Sequence, residues 1–301
     1  MRPLRFQLDW KPNAQFAGVL VAHHLGWYRE AGIDLTISPW EVNSDAIAAL
    51  ASEEAVVAST EDNLLIRARA DGQPVKAIGA MLQHSGIGWM SLPATGIERP
   101  ADLAGRTVGV HGDGELALDV VLAGVGLKPS DISRIEIGYD YGELLERGVC
   151  DAAQCFVMVE PAELAARGIA TTSLVAYEHG YPSYAQVMVA PDRLVEDQPD
   201  MLAALLSVTF DGWRRALAEP DEAAAVIVGH FLPEGSFEVE MGIIEAMTPF
   251  VVGEMGRARL GWMEATRWDQ TIDLLYGHRL VAQRVATAEI MTNQLMESVY
   301  G

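Results

Sequence analysis

The clearest indication of the fold is the stretch LRFQLDWKPNAQFAGVLVAHHLGWYREAGIDLTI, residues 4–37. The first run, LRFQL, is short and β-rich and predicts a strand, as does IDLTISPW from Ile33. Between them, AGVLVAHHLGWYREAG predicts one helix that ends at a glycine. A strand, a helix and a further strand in this order predict a parallel βαβ unit. The corner after the first strand carries Trp10, Pro12 and Asn13, which a simple change of direction does not need.

The same alternation continues along the first half of the chain. Helix SDAIAALASEE with Ser44 as its N-cap, strand AVVAS, helix EDNLLIRARADG and strand VKAIGAML follow the first unit. A second series comprises RTVGVH, ELALDVVLAGVG, ISRIEIGY, YGELLERG and DAAQCFV. Because the alternation occurs at 1–84 and again at 101–160, we predict an α/β fold of two similar lobes, each with a helix-covered parallel sheet. From about Pro199 the pattern is almost entirely amphipathic helix, which predicts a helical tail packed on one lobe.

Composition and charge exclude several classes of partner. The 301 residues carry a formal net charge of -21, so the chain offers no basic face for nucleic acid or for an anionic membrane surface. No segment reaches the roughly 18 consecutive apolar residues of a transmembrane helix. The first residues lack the pattern of a secretory signal. We therefore expect a cytoplasmic protein if Met1 is the native start, or a periplasmic or cell-surface protein if a leader was removed.

The sequence offers few groups for catalysis or metal binding. Cys150 and Cys155 fit neither a CxxC redox pair nor a zinc site, and we expect two free thiols. His23 and His24 are adjacent on a predicted helix, so they cannot bind one metal ion together. We therefore predict neither a metal ion nor a cofactor.

A glycine-rich run, GVHGDGE at residues 109–115, follows a predicted strand and opens a helix, which is where a phosphate would bind. Its spacing is not that of a nucleotide-binding loop, and Asp113 and Glu115 would repel a phosphate. We expect a tight turn whose backbone N–H groups contact a polar ligand, with Gly112 and Glu115 as candidate binding residues.

Acidic and aromatic residues gather at the predicted ends of strands, where ligands bind in open α/β sheets. The acids are Asp9, Glu61, Asp62, Glu115 and Glu160. The aromatics are Trp10, Phe16, Trp40, Trp89, Tyr139, Tyr181 and Tyr184. Together they predict a site for a flat polar ring, sandwiched by aromatic side chains and held at its edge by carboxylates and amides.

The opening of the chain resembles that of one family. LDWKPN, residues 8–13, followed by GVLVAHHLGWYREAGIDLTI, is similar to the opening of thiamine-pyrimidine (formylaminopyrimidine) type periplasmic solute-binding proteins, a family that also contains the fungal thiamine pyrimidine synthases. Further similar segments are RARADGQPV (67–75), MLQH (81–84), DLAGRTVGV (102–110) and GYPSY (180–184) with the following VMVAPDRL. The resemblance is good from residue 4 to about residue 215 and only general in the helical tail.

The resemblance implies a type II periplasmic-binding-protein fold, in which two lobes joined by a hinge close over a ligand. Residues 1–88 with 188–301, including the helical tail, would form lobe 1, and residues 89–187 would form lobe 2. The ligand would be a small flat nitrogen heterocycle, first of all a thiamine pyrimidine precursor, with riboflavin and other aromatic ligands left open. A monomeric protein would bind it in an interlobe cleft and hand it to an ABC permease.

The resemblance also implies roles for single residues. Trp10 would stack on the ring and Asn13 would hydrogen-bond its edge. Glu160 would accept a hydrogen bond from an exocyclic amine, and Tyr184 would close the far side of the ring. The full set of predicted ligand-binding residues is Trp10, Asn13, Phe16, Glu61, Gln83, Gly112, Glu115, Glu160 and Tyr184.

Two positions depart from the fungal synthases, which hold pyridoxal phosphate on a lysine and use a histidine and a cysteine-rich iron-binding motif. Thr60 stands where the lysine is expected and Leu64 where the histidine is expected, and the cysteine cluster is absent from the sequence. These departures argue against synthase chemistry and favour a binding protein. Two alternatives stay open: a cytoplasmic lyase- or desulfinase-like enzyme with Cys155 as nucleophile near His84, and a cytoplasmic ligand sensor or carrier.

Overall fold

The computed structural model of the chain describes residues 1–38, 40–41, 46–52 and 56–301. The predicted N-cap Ser44 lies outside the described residues. The chain divides into two compact units, of which unit 1 consists of Met1–His84 with Ser183–Gly301 and unit 2 of Ser85–Pro182. Each unit contains one β-sheet with helices, so the predicted two-lobe α/β fold is confirmed.

The described residues form ten strands and fourteen α-helices. The strands are β1 Arg2–Gln7, β2 Ile33–Ser38, β3 Val56–Thr60, β4 Val75–Leu82, β5 Ile87–Ser91, β6 Thr107–Val110, β7 Ser133–Glu136, β8 Ala152–Phe156, β9 Thr172–Val175 and β10 Ala185–Pro191. The helices are α1 Ala17–His24, α2 Trp27–Glu30, α3 Ala46–Ser52, α4 Asp62–Ala70, α5 Glu115–Gly124, α6 Tyr141–Glu146, α7 Glu160–Ala166, α8 Asp192–Asp197, α9 Pro199–Ala218, α10 Pro220–His230, α11 Phe237–Val252, α12 Ala265–Gly277, α13 Thr287–Ile290 and α14 Gln294–Tyr300. Short 3-10 turns lie at Ala14–Phe16, Pro93–Thr95, Pro100–Leu103, Pro129–Asp131, Ala176–His179 and Arg257–Arg259.

The sheet of unit 1 has the strand order β2-β1-β3-β10-β4. Strand β1 pairs in parallel with β2 and β3, with Phe6 opposite Ile37 on one side and Val57 on the other. Strand β10, which follows unit 2 in the sequence, runs antiparallel to both β3 and β4. The carboxyl ends of β1, β2, β3 and β4 therefore lie at one edge of the sheet, together with the amino end of β10.

The sheet of unit 2 has the strand order β7-β6-β8-β5-β9. Strands β7, β6 and β8 are parallel, whereas β5 is antiparallel to both β8 and β9. The prediction of parallel sheets is thus correct for the direction of four strands in each sheet and wrong for the fifth, which is β10 in unit 1 and β5 in unit 2. The chain passes from one unit to the other twice, before β5 and before β10. Each of these two strands is antiparallel to both of its neighbours.

The first predicted helix is two helices in the structure. Helix α1 ends at His24, and α2 begins at Trp27. Between them, Gly26 has a φ of 79°, the left-handed conformation that commonly ends a helix and that glycine adopts without steric cost. The sequence pattern continues across this break because both helices present apolar residues to the same core.

The helical tail packs on unit 1, as predicted. Its longest helix, α9, crosses α1 where Gly212 lies against Gly18. A Cβ atom on Gly212 would lie 2.0 Å from the carbonyl oxygen of Gly18, so the backbones approach this closely only because both residues are glycine. The side chain of Trp213, which is completely buried, covers Gly18.

The unit boundaries fall a few residues before the predicted ones. The prediction separates the lobes after residue 88 and after residue 187, positions that lie inside β5 and inside β10. In the structure, all of β5 belongs to unit 2 and all of β10 to unit 1. A strand that forms a hydrogen-bonded ladder along its whole length stays with the sheet that it joins, so the chain passes between the units before each strand begins.

Candidate functional site

The carboxyl-end edge of the unit 1 sheet carries a hydrogen-bonded pair of polar side chains. The hydroxyl group of Ser59 on β3 donates to Asp9 Oδ1 at 2.6 Å, and the N–H of Asp9 donates to Ser59 Oγ at 3.1 Å. Burial raises the pKa of Asp9 to about 6, against the lowering effect of the hydrogen bond from Ser59. The chain after β1 is thereby attached to β3, and a carboxyl group with a raised pKa stands directly before Trp10.

Trp10 lies at this edge with its indole half-buried. Its ring centroid is 4.9 Å from that of Trp40, which follows β2, and the two planes meet at 39°. The N–H of Trp40 donates to the carbonyl oxygen of Trp10 at 3.3 Å. Lys11 Nζ lies 5.8 Å from the centroid of the Trp10 ring. The two indoles form an aromatic surface that is partly open, which is what stacking on a flat ligand requires.

Asn13 organises the corner that follows. Its side-chain Oδ1 accepts from the N–H of Gln15 at 3.1 Å and caps the 3-10 turn Ala14–Phe16. The N–H of Ala14, the first residue of that turn, donates to Glu240 Oε2 at 2.7 Å. The aromatic ring of Phe16 is completely buried. We therefore assign Phe16 to the core. Asn13 lies at the edge, and its side-chain Oδ1 already accepts a hydrogen bond from the turn.

Asp62, one of the acids predicted to gather at strand ends but not one of the predicted ligand-binding residues, is a buried carboxyl group with several hydrogen-bond donors. Its carboxylate accepts from the hydroxyl group of Ser183, from the N–H of Tyr184 at 2.8 Å and from Thr271 Oγ1 at 3.4 Å. Burial raises the pKa of Asp62 to about 7, although these hydrogen bonds lower it. Asp62 thus binds the start of β10 to the start of α4. Its position just after β3 is the only sequence feature that points to this role.

Tyr184 is completely buried within unit 1. Its ring stacks on Trp268 with centroids 5.8 Å apart, and the Arg267 guanidinium lies 4.7 Å from its centroid. Its hydroxyl oxygen accepts from the N–H of Glu264 at 2.7 Å, and burial raises its pKa to about 12. The ring and the hydroxyl group both have protein partners, so we assign Tyr184 to the core of unit 1.

Glu61 and Gln83 lie at the same edge of the sheet, after β3 and β4. Glu61 is half-buried and stands immediately before α4. Gln83 is only 1% exposed, and its side-chain amide donates to the carbonyl oxygen of Trp262 at 3.1 Å. Its Oε1 is buried and accepts no hydrogen bond from the described residues. Of the predicted residues of unit 1, Trp10, Asn13, Glu61 and Gln83 therefore share this edge.

In unit 2, the predicted glycine-rich turn follows β6 and is held by a buried glutamine. Gln154 on β8 accepts from the N–H of His111 at 2.8 Å and donates to Asp113 Oδ1 at 3.0 Å. Gly112 is exposed. Glu115 is also exposed and forms an ion pair with Arg134 at 3.1 Å. The two predicted residues are thus accessible, and they lie at the carboxyl-end edge of the parallel strands.

Three aromatic rings stand beside this turn. His111 stacks on Tyr139, with centroids 5.1 Å apart and planes 25° apart, and both rings meet Tyr141 edge-on. His111 Nε2 lies 3.0 Å from the hydroxyl oxygen of Tyr141. The sequence analysis singled out Tyr139 but missed His111 and Tyr141. The available signal was their position, with His111 at the end of the strand RTVGVH and Tyr141 at the start of α6, which follows β7.

Glu160 begins α7 at the corner after β8, where it was predicted to stand. It is 5% exposed, and its Oε2 accepts from the N–H of Phe156 at 2.7 Å. Its carboxylate closes this corner by a hydrogen bond to the backbone, so part of its capacity to accept hydrogen bonds is used inside the protein.

The structure contradicts the hypothesis that Cys155 is a nucleophile. Its thiol is buried in an apolar cluster that includes Met90, Leu145 and Leu164. Burial, and then the negative charge of Glu160, raise the pKa of the Cys155 thiol well above its usual value. Since the thiolate is the reactive form, this environment makes Cys155 unreactive. Both cysteines are free thiols, as predicted.

Neither a metal centre nor a membrane span is found in the described part of the chain. Residues 1–38, 40–41, 46–52 and 56–301 contain no group of three or more His, Cys, Asp or Glu side chains placed to hold a metal ion. Within the same residues, no helix is both long enough and apolar enough to cross a bilayer.

The two-unit α/β architecture is that of periplasmic binding proteins. The aliphatic sulphonate binding protein SsuA from Escherichia coli matches with a TM-score of 0.76 and 18% identity over 96% of this chain and 91% of that chain. The desulfurization enzyme DSZB has the same fold, with a TM-score of 0.67 and 17% identity over 99% of both chains. At such identities the likeness shows the fold alone.

Sequence comparison gives the family. The family described as NMT1/THI5 like matches residues 13–223, and the chain belongs to it. Relatives include the riboflavin-binding protein RibY of Chloroflexus aurantiacus, 23% identical over 98% of this chain and 86% of the relative. The formylaminopyrimidine-binding protein of Halalkalibacterium halodurans is 24% identical over 97% and 90%. A 4-amino-5-hydroxymethyl-2-methylpyrimidine phosphate synthase of Legionella pneumophila is 23% identical over 92% and 88%.

Proposed function

We propose that this protein binds a small, flat, nitrogen-rich heterocycle, of the thiamine pyrimidine precursor type, as the substrate-binding component of an ABC importer. The observation that carries the proposal is the open aromatic surface of Trp10 and Trp40 at the carboxyl ends of β1 and β2, beside the carboxyl group of Asp9. An aromatic face stacks on the ring, and carboxyl and amide groups accept from its amino substituents. Relatives named for formylaminopyrimidine and riboflavin binding support this class of ligand.

The proposed contacts in unit 1 are Trp10, Asn13, Glu61 and Gln83. Phe16 and Tyr184 are left out because their rings are packed inside unit 1. Asn13 and Gln83 are also buried, with 3% and 1% exposed, and are kept because their polar side chains lie at this edge. As an importer component, the protein would work outside the cytoplasmic membrane together with an ABC permease. The location outside the membrane and the ABC permease as partner are part of the same proposal.

Catalysis is not part of the proposal, although several relatives are named as pyrimidine phosphate synthases. The resemblance aligns Thr60 with the lysine on which the fungal enzymes hold pyridoxal phosphate. A hydroxyl group cannot form an imine with an aldehyde, and Thr60 is 2% exposed at the end of β3. The buried thiol of Cys155 likewise argues against the alternative of a cysteine-dependent enzyme.

A thermal-shift screen tests the function. The probes are formylaminopyrimidine, its hydroxymethyl analogue, riboflavin and the nucleobases. A ligand present at about 100 times its dissociation constant stabilises the folded state by about 2.7 kcal/mol, which raises the unfolding temperature measurably. We expect a pyrimidine precursor to give the largest shift. A flat response to all probes would overturn the proposed function.

The contact with Trp10 is tested by tryptophan fluorescence. We expect Trp10→Ala to remove most of the ligand-dependent quenching and to weaken binding about tenfold, because it removes the stacking face. Trp27→Ala is the matched control, since Trp27 is also half-buried but begins α2, before the amino end of β2. Equal quenching in both variants would show that Trp10 does not contact the ligand.

A further inference from the structure

Unit 2 carries an aromatic surface that the fold does not require. Tyr139 is 57% exposed, so its ring contributes little to the core. One of its faces lies against His111 at a centroid distance of 5.1 Å. Tyr141 stands perpendicular to both rings, at 81° to Tyr139 and 87° to His111. Two nearly parallel rings and one perpendicular ring form a corner with aromatic walls, which we call the aromatic corner.

The aromatic corner is held in place by buried groups. The backbone of His111 is fixed by its hydrogen bond to Gln154, which is 4% exposed. A Cβ atom on Gly114 would lie 2.0 Å from Gln154 Oε1, so a side chain at that position would displace the amide group that holds His111. A hydrogen bond of 3.0 Å between His111 Nε2 and the Tyr141 hydroxyl group fixes the orientation of both rings. Such an arrangement exists before a ligand arrives, which lowers the entropic cost of binding.

Acidic side chains lie on the turn that carries His111, at Asp113 and Glu115. Burial raises the pKa of Tyr141, and the next cause is the negative charge of Glu160, with Asp113 also contributing. Asp113 lies beside the turn by direct contact, because its Oδ1 accepts from the Gln154 side chain that also accepts from the N–H of His111. The neighbouring cation Arg134 is engaged by Glu115 and Asp119. An aromatic surface in an acidic environment favours a cation, because ring faces and carboxylates both attract positive charge.

We propose that the aromatic corner of His111, Tyr139 and Tyr141 is a binding surface for a heteroaromatic ring that carries a positive charge. The inference rests on the proposed function, because it takes the ligand to be a small flat nitrogen heterocycle, and it adds a preference for positive charge. Tyr139 supplies the exposed face, and Glu160 and Asp113 supply the compensating charge. A neutral ring of the same size gains stacking at this surface but not the attraction to the acids.

Calorimetric titration of the full chain tests the inference with two probes. Thiamine has a permanently charged thiazolium ring, and riboflavin is neutral. We expect Tyr139→Ala to weaken thiamine binding about tenfold and riboflavin binding about threefold or less. Tyr139→Phe keeps the ring face, so thiamine binding stays within about twofold of the wild type. Tyr276→Ala is the matched control, because Tyr276 is 49% exposed on α12 in unit 1.

The outcomes separate this inference from the proposed function. A wild-type protein that binds riboflavin but not thiamine overturns the selection of charge and leaves heterocycle binding intact. The same holds if Tyr139→Ala weakens both probes equally, or no more than Tyr276→Ala does. A wild-type protein that binds neither these probes nor any pyrimidine overturns both proposals. Because Tyr139 and Tyr276 are exposed, we expect their variants to unfold at the wild-type temperature, which circular dichroism checks.

Discussion

Asp62 illustrates how burial and hydrogen bonding oppose each other at a single residue. Its carboxyl group is 0% exposed, and removal from water raises its pKa from 3.8 to about 7. Donors from Ser183, Tyr184 and Thr271 favour the ionised form but do not offset the burial. Between these two pKa values the folded state binds a proton that the unfolded state releases. The stabilisation from this proton is therefore complete below pH 3.8 and is lost as the pH rises through about 7.

This sign gives a prediction for Asp62→Asn. The wild-type free energy of unfolding should fall more steeply than that of the variant between about pH 5 and about pH 7, by up to about 1.4 kcal/mol per pH unit. The neutral amide cannot release the proton, so the variant lacks this contribution to the slope. Urea unfolding at several pH values measures the difference. Asp34→Asn, an exposed position on β2, is the control and should keep the wild-type slope. Identical slopes for Asp62→Asn and the wild type would contradict the assignment.

At the scale of elements, the crossing of α1 and α9 depends on two glycines. Gly18 and Gly212 let the helix backbones come into contact, and Trp213 packs over Gly18. The apolar patterns of both helices are visible in the sequence, but the crossing joins segments almost two hundred residues apart. Local patterns carry no information on which two helices meet, so the function of these glycines appears only in the folded chain.

Replacement of Gly212 by alanine tests this crossing. The new Cβ atom would lie 2.0 Å from a backbone oxygen, so the helices must separate, and we expect Gly212→Ala to lose about 1–3 kcal/mol of stability. Gly242→Ala on α11 is the matched control, since a Cβ atom there meets no atom within 4 Å. Alanine favours helix over glycine by up to about 1 kcal/mol, so this control should be stabilised. Chemical denaturation measures both, and equal stability of the two variants would refute the close crossing.

Prediction of elements from sequence succeeded where the signal is local. The strand–helix alternation of the first half corresponds to β1 to β4 and β6 to β8 with their helices. Strands β5, β9 and β10 were not predicted, because they are short apolar runs outside the βα rhythm. All three form antiparallel pairs, and their partners lie far away in the sequence. Pairing of that kind depends on the assembled sheet and leaves no periodic pattern.

At the scale of the whole molecule, net charge outweighs individual ion pairs. The chain has a formal net charge of -21 and a sequence pI of about 4.6. Many of its ion pairs are partly exposed, such as Arg147 with Glu143 and Arg284 with Asp273. Each exposed pair contributes at most about 1 kcal/mol, and salt weakens it. The mutual repulsion of the excess carboxylates acts on the entire folded chain, and salt relieves it.

We therefore expect added salt to stabilise the folded protein at neutral and higher pH. The unfolding temperature should rise as NaCl increases from about 0.01 M to about 0.3 M at about pH 8, because the screening length falls below the spacing of many charges. Near the pI the same titration should change the unfolding temperature much less, which provides the control. A fall in unfolding temperature with salt at pH 8 would mean that ion pairs, and not net repulsion, dominate the electrostatics.

Short-range patterns and the opening motif LDWKPN were sufficient to predict the α/β class, the two lobes, the helical tail and the family. The sequence also predicted that the corner of Trp10 and Asn13 and the turn at Gly112 belong to a ligand site, which stays a prediction. Which of the candidate side chains stay exposed could be seen only in the folded chain. Phe16 and Tyr184 became core residues, Cys155 became an unreactive thiol, and His111 joined Tyr139 and Tyr141. Burial and side-chain contacts are properties of the assembled chain, since residues distant in sequence provide the surfaces that cover each side chain.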